Sequence, residues 1–220
     1  MSNRKAFCRI LVLFVAFSLV SVVSQTVAQS KKGIELYNTW QYQEAEKVFR
    51  EELKTDPNNI PANFYLGLTV LHQEKYKDAL DIFLKVYQSQ QRADQWTRPP
   101  VPSEYQIQLA MAQARIGLKQ YADAWKNLES ARIEDGSASD VYVYRGLYYL
   151  EQEKLKEAVK ELEKAIDLDE KNPYAHYYVG LAYHKSGDPQ KAVEALKIFL
   201  QLAPNAPEAP KAKLLHDQLC

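Results

Sequence analysis

From about residue 30 onward the chain places apolar residues at helical spacing, and that pattern is itself periodic. Ala158, Val159, Leu162, Ala165 and Ile166 stand at i, i+1, i+4, i+7 and i+8, which gathers them on one stripe of an α-helix. The core of the stripe is an alanine with a large apolar residue four places later. It occurs as Ala45 and Phe49, Ala79 and Phe83, Ala124 and Leu128, Ala158 and Leu162, and Ala192 and Leu196, with the alanines stepping by 34, 45, 34 and 34. Twelve places before each alanine stands a small residue: Gly33, Gly67, Ala112, Gly146 and Gly180. The register therefore holds in both halves of five units, with one insertion between the second and third.

A glycine inside a helix costs about 1 kcal/mol against alanine, so four of them at one register need a steric reason. A missing side chain on the first helix (A) opposite the alanine of the second (B) lets the two backbones approach closely. The Phe or Leu that follows fills the space beside them. Such pairs each leave an apolar face that the next pair covers, which predicts a solenoid.

A 34-residue helix-turn-helix period with glycine, alanine and Phe/Leu at these places resembles the tetratricopeptide-repeat family. The resemblance covers Thr26 through Ala206 apart from the insertion, in units at 26–59, 60–93, 105–138, 139–172 and 173–206, and it implies an all-α, right-handed superhelical solenoid of about five helix-turn-helix repeats. The family's closing proline is present at Pro57 and Pro204, whereas Gln91, Gly136 and Glu170 depart from it and leave those joints open to a different turn. After Pro204 and Pro207, the stretch 207–220 begins its helix with Pro210, which suits a first turn, and Leu214, Leu215 and Leu219 predict a capping helix. The insertion DQWTRPPVPSE, 94–104, is proline-rich and reads as a stiff loop between repeats two and three, or as a partner-contacting loop carrying Trp96.

The front of the chain is different. Arg4, Lys5 and Arg9 precede an uncharged apolar run, Ile10 to Val23, which reads as a signal-peptide hydrophobic region. Small residues at Thr26 and Ala28 fit a cleavage site before Gln29, with Val22 to Ser24 as a second candidate, so 1–28 is expected to be a signal peptide. The run falls short of the ~20 apolar residues that a membrane-spanning helix needs. An uncleaved N-terminal anchor is the alternative, and the expected location is periplasmic or secreted.

Charge and chemistry narrow the function further. The whole chain has 28 basic and 28 acidic side chains; without 1–28 the acidic ones are in excess by 3, so no basic surplus exists for nucleic acid. Cys8 lies in the export segment and Cys220 ends the chain, so no disulfide framework and no zinc site are expected. His176 and His184 are eight apart and two ligands do not complete a metal site. No phosphate-binding glycine loop, nucleophile elbow or His-Glu-x-x-His stretch occurs; the chain is expected to be no enzyme and to need no cofactor. The many tyrosines are read chiefly as structural, with Tyr142, Tyr149 and Tyr183 at core positions of the repeat.

What remains is the concave face. The resemblance implies that helix A positions 2, 5, 9, 12 and 13 line a groove. It gives Phe64, Leu68, Leu71 and His72 with Pro61 in the second unit, and Leu109, Gln113 and Ile116 with Gln106 and Gly117 in the third. The fourth gives Val143, Leu147 and Leu150 with Asp140 and Glu151, and the fifth Tyr174, Tyr177, Leu181 and His184 with Lys185. That wall would be largely apolar and would hold an extended peptide or an amphipathic helix of a protein partner. Relatives that clamp the acidic tails of heat-shock chaperones use Lys, Asn and Arg where this chain has Ser30, Ile34, Tyr65, Gln106 and Ala110, so that carboxylate clamp is not expected. The sequence thus predicts an exported, non-catalytic adaptor; the alternatives are a membrane-tethered assembly factor or chaperone-like accessory retained by an uncleaved N-terminal helix, and a hydrolase or redox accessory.

Overall fold

The computed structural model describes residues 30–93 and 102–220. The segment read as an export signal, and Trp96 with most of the insertion, lie outside the described residues. Helix α1 occupies 30–38. It is followed by α2 (Tyr42–Thr55), α3 (Ile60–His72), α4 (Tyr76–Arg92), α5 (Glu104–Gly117) and α6 (Tyr121–Glu134). Then come α7 (Ser139–Glu151), α8 (Leu155–Leu168), α9 (Pro173–Ser186), α10 (Pro189–Leu202) and α11 (Ala209–Leu219). Odd-numbered helices through α9 are the A helices of the five units and even-numbered ones the B helices; α11 is the cap. Among the described residues there is no strand, and no helix is long and apolar enough to cross a membrane.

The pairing follows the small-residue register. A Cβ placed on Gly146 would lie no farther than 3.0 Å from Leu162 Cγ, Cδ1 and Cδ2, and Leu162 is fully buried. The equivalent atom on Gly33 would meet Phe49 at 2.5 Å and that on Gly180 would meet Leu196 at 2.9 Å. Four of the A helices thus press bare backbone onto the large residue of their own B helix, and α5 carries Ala112 at that place, in one core with Leu128. Each B helix in turn packs on the A helix that follows, and the A helices also touch in series, α3 on α5, α5 on α7 and α7 on α9. Those contacts put the A helices on the inner arc of the superhelix.

Two turns recur. Between A and B, one residue per unit has left-handed backbone: Trp40, Glu74, Lys119, Glu153 and Gly187, with φ of 58, 60, 59, 59 and 84°. Four of the five are not glycine, and a conformation that disfavours a Cβ accompanies backbone bonds that close each A helix, from the N–H of Gln41, Lys75, Gln120 and Lys154 to the carbonyls of Leu36, Val70, Arg115 and Tyr149 at 2.9, 3.0, 2.8 and 3.0 Å. Between B and A, Asp56, Asp135 and Asp169 accept backbone N–H bonds from Asn58, Ser137 and Lys171 at 3.3, 3.1 and 3.0 Å. The joints at Gly136 and Glu170, which lack the family's proline, therefore turn as the one at Pro57 does, because the aspartate just ahead supplies the acceptor.

The insertion is anchored at its end. Buried Gln90 donates to the Pro102 carbonyl at 2.7 Å, and the Ser103 N–H donates to Gln106 Oε1 at 2.9 Å to open α5. Between units three and four, Arg145 lies 4.7 Å over the Trp125 ring, donates to Glu161 at 2.8 Å and pairs with Glu129. At the C-terminal end, Ala209, Ala212 and Leu215 of α11 pack on the last pair while Leu214 is 62% exposed. Of the three leucines expected to make the cap, Leu214 points to water.

Candidate functional site: a tyrosine-lined interior

Trp40, in the A–B turn of the first unit, packs against the core formed by α9, α10 and α11. The superhelix therefore curls until its first unit meets its last, and the concave side becomes an interior. Its main cavity, about 320 Å3, is lined by Tyr37, Trp40, Tyr42 and His72 from the first two units, by Gln113, Asp140 and Tyr144 from the middle, and by Tyr174, Tyr178 and Glu208 from the end. An adjoining hollow of about 240 Å3 shares Tyr37, Gln113, Asp140 and Tyr144 and adds Phe64, Tyr65, Leu68, Tyr105, Gln106 and Leu109.

The sequence-predicted groove residues separate into three groups. Phe64, Leu68, His72, Leu109, Gln113 and Tyr174 do line the interior. Leu71, Ile116, Val143, Leu150 and Tyr177 are not among the residues that line either cavity and lie buried in the packed core, whereas Phe64 and Leu109, though also buried, reach the hollow. The physical reason is stacking: Leu71 packs with Ile107, Ala110, Met111 and Ala114 of the next A helix, and Leu150 with Val179 and Ala182 of α9. His184 stands at the same repeat position in the last unit, where no further A helix follows, and it is exposed. Leu147 is half-buried, and Leu181 packs against the cores of the final units. The interior wall is consequently polar and aromatic rather than largely apolar.

Position 6 of helix A entered only through the clamp positions Tyr65 and Ala110 and not among those expected to form the partner-binding wall, yet Tyr65, Tyr144 and Tyr178 occupy it and face the interior. A tyrosine at one register in three units was the signal available, and it reads as core until the curvature is known. Tyr37 Oη hydrogen-bonds His72 Nε2 at 3.2 Å, and the His72 ring stacks on Tyr42 with centroids 4.7 Å apart. Tyr174 Oη donates to Glu208 Oε2 at 3.3 Å, and Asn172 Nδ2 donates to Asp140 Oδ1 at 2.8 Å. Among the described residues the hydroxyls of Tyr144 and Tyr178 have no hydrogen-bond partner.

Removal from bulk water decides the protonation of this wall. Burial pushes the Tyr37, Tyr42, Tyr144, Tyr174 and Tyr178 hydroxyls far above the ordinary phenol value, so they remain neutral donors and acceptors. Burial also lowers His72 to about 4, which keeps its imidazole uncharged near neutrality. Among the described residues no three His, Cys, Asp or Glu side chains come together to hold a metal.

The geometry is that of a helix-pair repeat protein whose inner wall encloses a chamber. Family models described as tetratricopeptide repeat match residues 31–95 and 173–206, and one described as TPR repeat matches 146–187. These matches take in more than half of the chain, and the chain belongs to the tetratricopeptide-repeat family. No curated protein sequence matches it significantly. Among solved structures it is similar to TTC0263, a thermophilic TPR protein of Thermus thermophilus, with a TM-score of 0.70 and 17% identity over 88% of this chain and 98% of that one. It is also similar to PilF of Pseudomonas aeruginosa, with a TM-score of 0.58 and 18% identity over 90% and 84% of the two chains. A chain of the APC/C hetero-tetramer Cut9–Hcn1 gives a TM-score of 0.67 and 16% identity over 88% of this chain, which spans 36% of that one. At these identities the likeness is one of fold.

Proposed function

We propose that this chain is a non-catalytic adaptor that receives a segment of a partner polypeptide inside its superhelix. The tetratricopeptide-repeat fold is a scaffold for protein–protein interaction, and that much rests on the family. The observation that carries the finer reading is the chamber itself, a concave site with aromatic walls and hydroxyls that have no partner among the described residues. Sites of this kind, concave and largely preformed, are where proteins hold ligands. The hollow lined by Leu68 and Gln106 shares Gln113 and Tyr144 with the cavity that Tyr178 lines, and spaces of about 240 and 320 Å3 suit an extended strand of peptide better than a helix about 10–12 Å across. We further propose that the chain works outside the cytoplasm after removal of residues 1–28, on the strength of the basic start and the uncharged run Ile10–Val23.

The test is affinity capture from the native compartment with a variant that fills the chamber. Gln113→Trp is expected to keep the helical signal and the melting transition while losing the captured partners, and Lys156→Trp on exposed outer-layer helix α8 is expected to keep them. Capture by Gln113→Trp at the wild-type level would overturn the reading. Mass spectrometry of the mature N-terminus tests export: a chain that begins near Gln29 supports it, and an intact Met1 in the membrane fraction contradicts it.

A further inference from the structure

The chamber carries charge of one sign only. Asp140, near the start of α7, and Glu208, just before α11, both contribute to its wall, and among the described residues its lining includes no lysine or arginine. Each carboxylate has one oxygen held by the protein, Asp140 by Asn172 Nδ2 and Glu208 by Tyr174 Oη. Among the described residues neither has a basic partner. His72, the one titratable nitrogen among the described lining residues, is kept neutral by burial. Two negative charges thus face a partly enclosed space walled by aromatic rings, where water screens them less than on an open surface.

The rings complete the argument. Tyr37, Tyr42, Tyr144, Tyr174 and Tyr178 surround the cavity together with Trp40, and the π faces and hydroxyl oxygens of such rings both attract positive charge. A cation held over an aromatic face gains about 0.5–2 kcal/mol, most where water is excluded, and a carboxylate adds to it. A peptide carboxylate or phosphate would meet repulsion from Asp140 and Glu208 and find no cationic donor. An aliphatic side chain would leave both carboxylates desolvated without compensation. A volume of about 320 Å3 is at the lower end of the range for ligand pockets, enough for one long side chain and not for a folded element.

We infer that the chamber is a cation site which binds the arginine or lysine side chain of the partner polypeptide, held between the tyrosine rings and neutralised by Asp140 and Glu208. This rests on the reading of the interior as the partner site and names the chemistry it selects. Arginine suits it better than lysine, because a planar guanidinium stacks on tyrosine while its N–H groups reach a carboxylate.

Isothermal titration calorimetry of the purified chain tests this with three probes: acetyl-Gly-Gly-Arg-Gly-Gly-amide, the same peptide with Glu in place of Arg, and free arginine. The arginine peptide is expected to bind, with an affinity that falls as salt is raised, and the glutamate peptide to give no heat. The double variant Asp140→Asn, Glu208→Gln keeps the acceptors used by Asn172 and Tyr174, so it retains its fold by circular dichroism, and it is expected to weaken the arginine peptide by about tenfold or more. No binding of the arginine peptide, equal binding of the two peptides, or an unaltered affinity in the double variant overturns the inference. Free arginine binding as tightly as the peptide overturns the polypeptide source and leaves a small organic cation as the ligand. The two claims fail separately: partners captured equally by wild type and double variant, but lost in Gln113→Trp, sink the cation site and spare the adaptor reading.

Discussion

Gly146→Val tests the rule that builds every helix pair. The first carbon added would fall no farther than 3.0 Å from three atoms of Leu162, inside van der Waals contact, and valine adds two more carbons beyond it. Leu162 has no exposed surface and belongs to the cluster with Leu150, Ala158, Val179 and Ala182, so it cannot swing into water. Helix propensity works the other way, since valine is a few tenths of a kcal/mol better than glycine in a helix. Overpacking costs about 1–3 kcal/mol and sometimes more, so the net loss is about 1–2.5 kcal/mol. For a chain of this size each kcal/mol moves the midpoint by about 2–4 °C, giving a fall of ~2–10 °C in a melt followed by circular dichroism. Hydrogen exchange adds a spatial check, because stability in a solenoid is a sum of neighbouring interfaces: α7 and α8 are expected to lose protection first. Leu162→Ala alone opens a cavity and costs about 2–5 kcal/mol. Combined with Gly146→Val it is expected to cost less than the two single changes together, since valine occupies the vacated space. An unchanged midpoint in Gly146→Val, or strict additivity in the pair, refutes the assigned crossing.

Three further outcomes follow from the same geometry. His72 binds its proton at about 4 in the folded chain, below the ordinary histidine value, so the unfolded state takes up more protons between the two. Stability is therefore fully present above about pH 6.5 and declines as pH falls toward 4; His72→Gln is expected to flatten that decline in urea titrations. Glu52 is buried and its carboxyl is raised by desolvation, against the opposing bond from Ser30. The fold therefore favours the protonated acid: this contribution is present below the ordinary carboxylate value and lost as pH rises through the raised one. The urea midpoint of Glu52→Gln relative to wild type is thus expected to be higher at about pH 7 than at about pH 4. Gly187→Ala meets no atom within 4 Å but must hold φ near 84°; a loss of about 1 kcal/mol in denaturant unfolding is expected from the left-handed backbone alone.

The repeat was legible because its demand is local. Gly146 and Leu162 must fit each other whatever the rest of the chain does, and the same holds for Gly33 with Phe49 and Gly180 with Leu196, so the constraint is written at a fixed interval. The A–B turn was not legible, since Trp40, Glu74, Lys119 and Glu153 adopt a conformation that their identities do not announce. The chamber was legible only in part. Its wall depends on how far several interfaces together curl the stack, and only that curvature brings Trp40 to α9–α11 and turns Tyr144 and Tyr178 inward. Leu71 and Leu150 depart from the expected groove for a related reason: the family resemblance assigns their position to the inner arc, whereas the next A helix covers them.

Site-specific photo-crosslinking tests the account most directly. With benzoylphenylalanine in place of Leu68, which faces the hollow, the chain in its native compartment is expected to yield a discrete covalent adduct with the partner. The same group in place of Lys156 on the outer layer is expected to yield none. Adducts from Lys156 and none from Leu68 would contradict the claim that the enclosed, tyrosine-walled side is where this protein meets another.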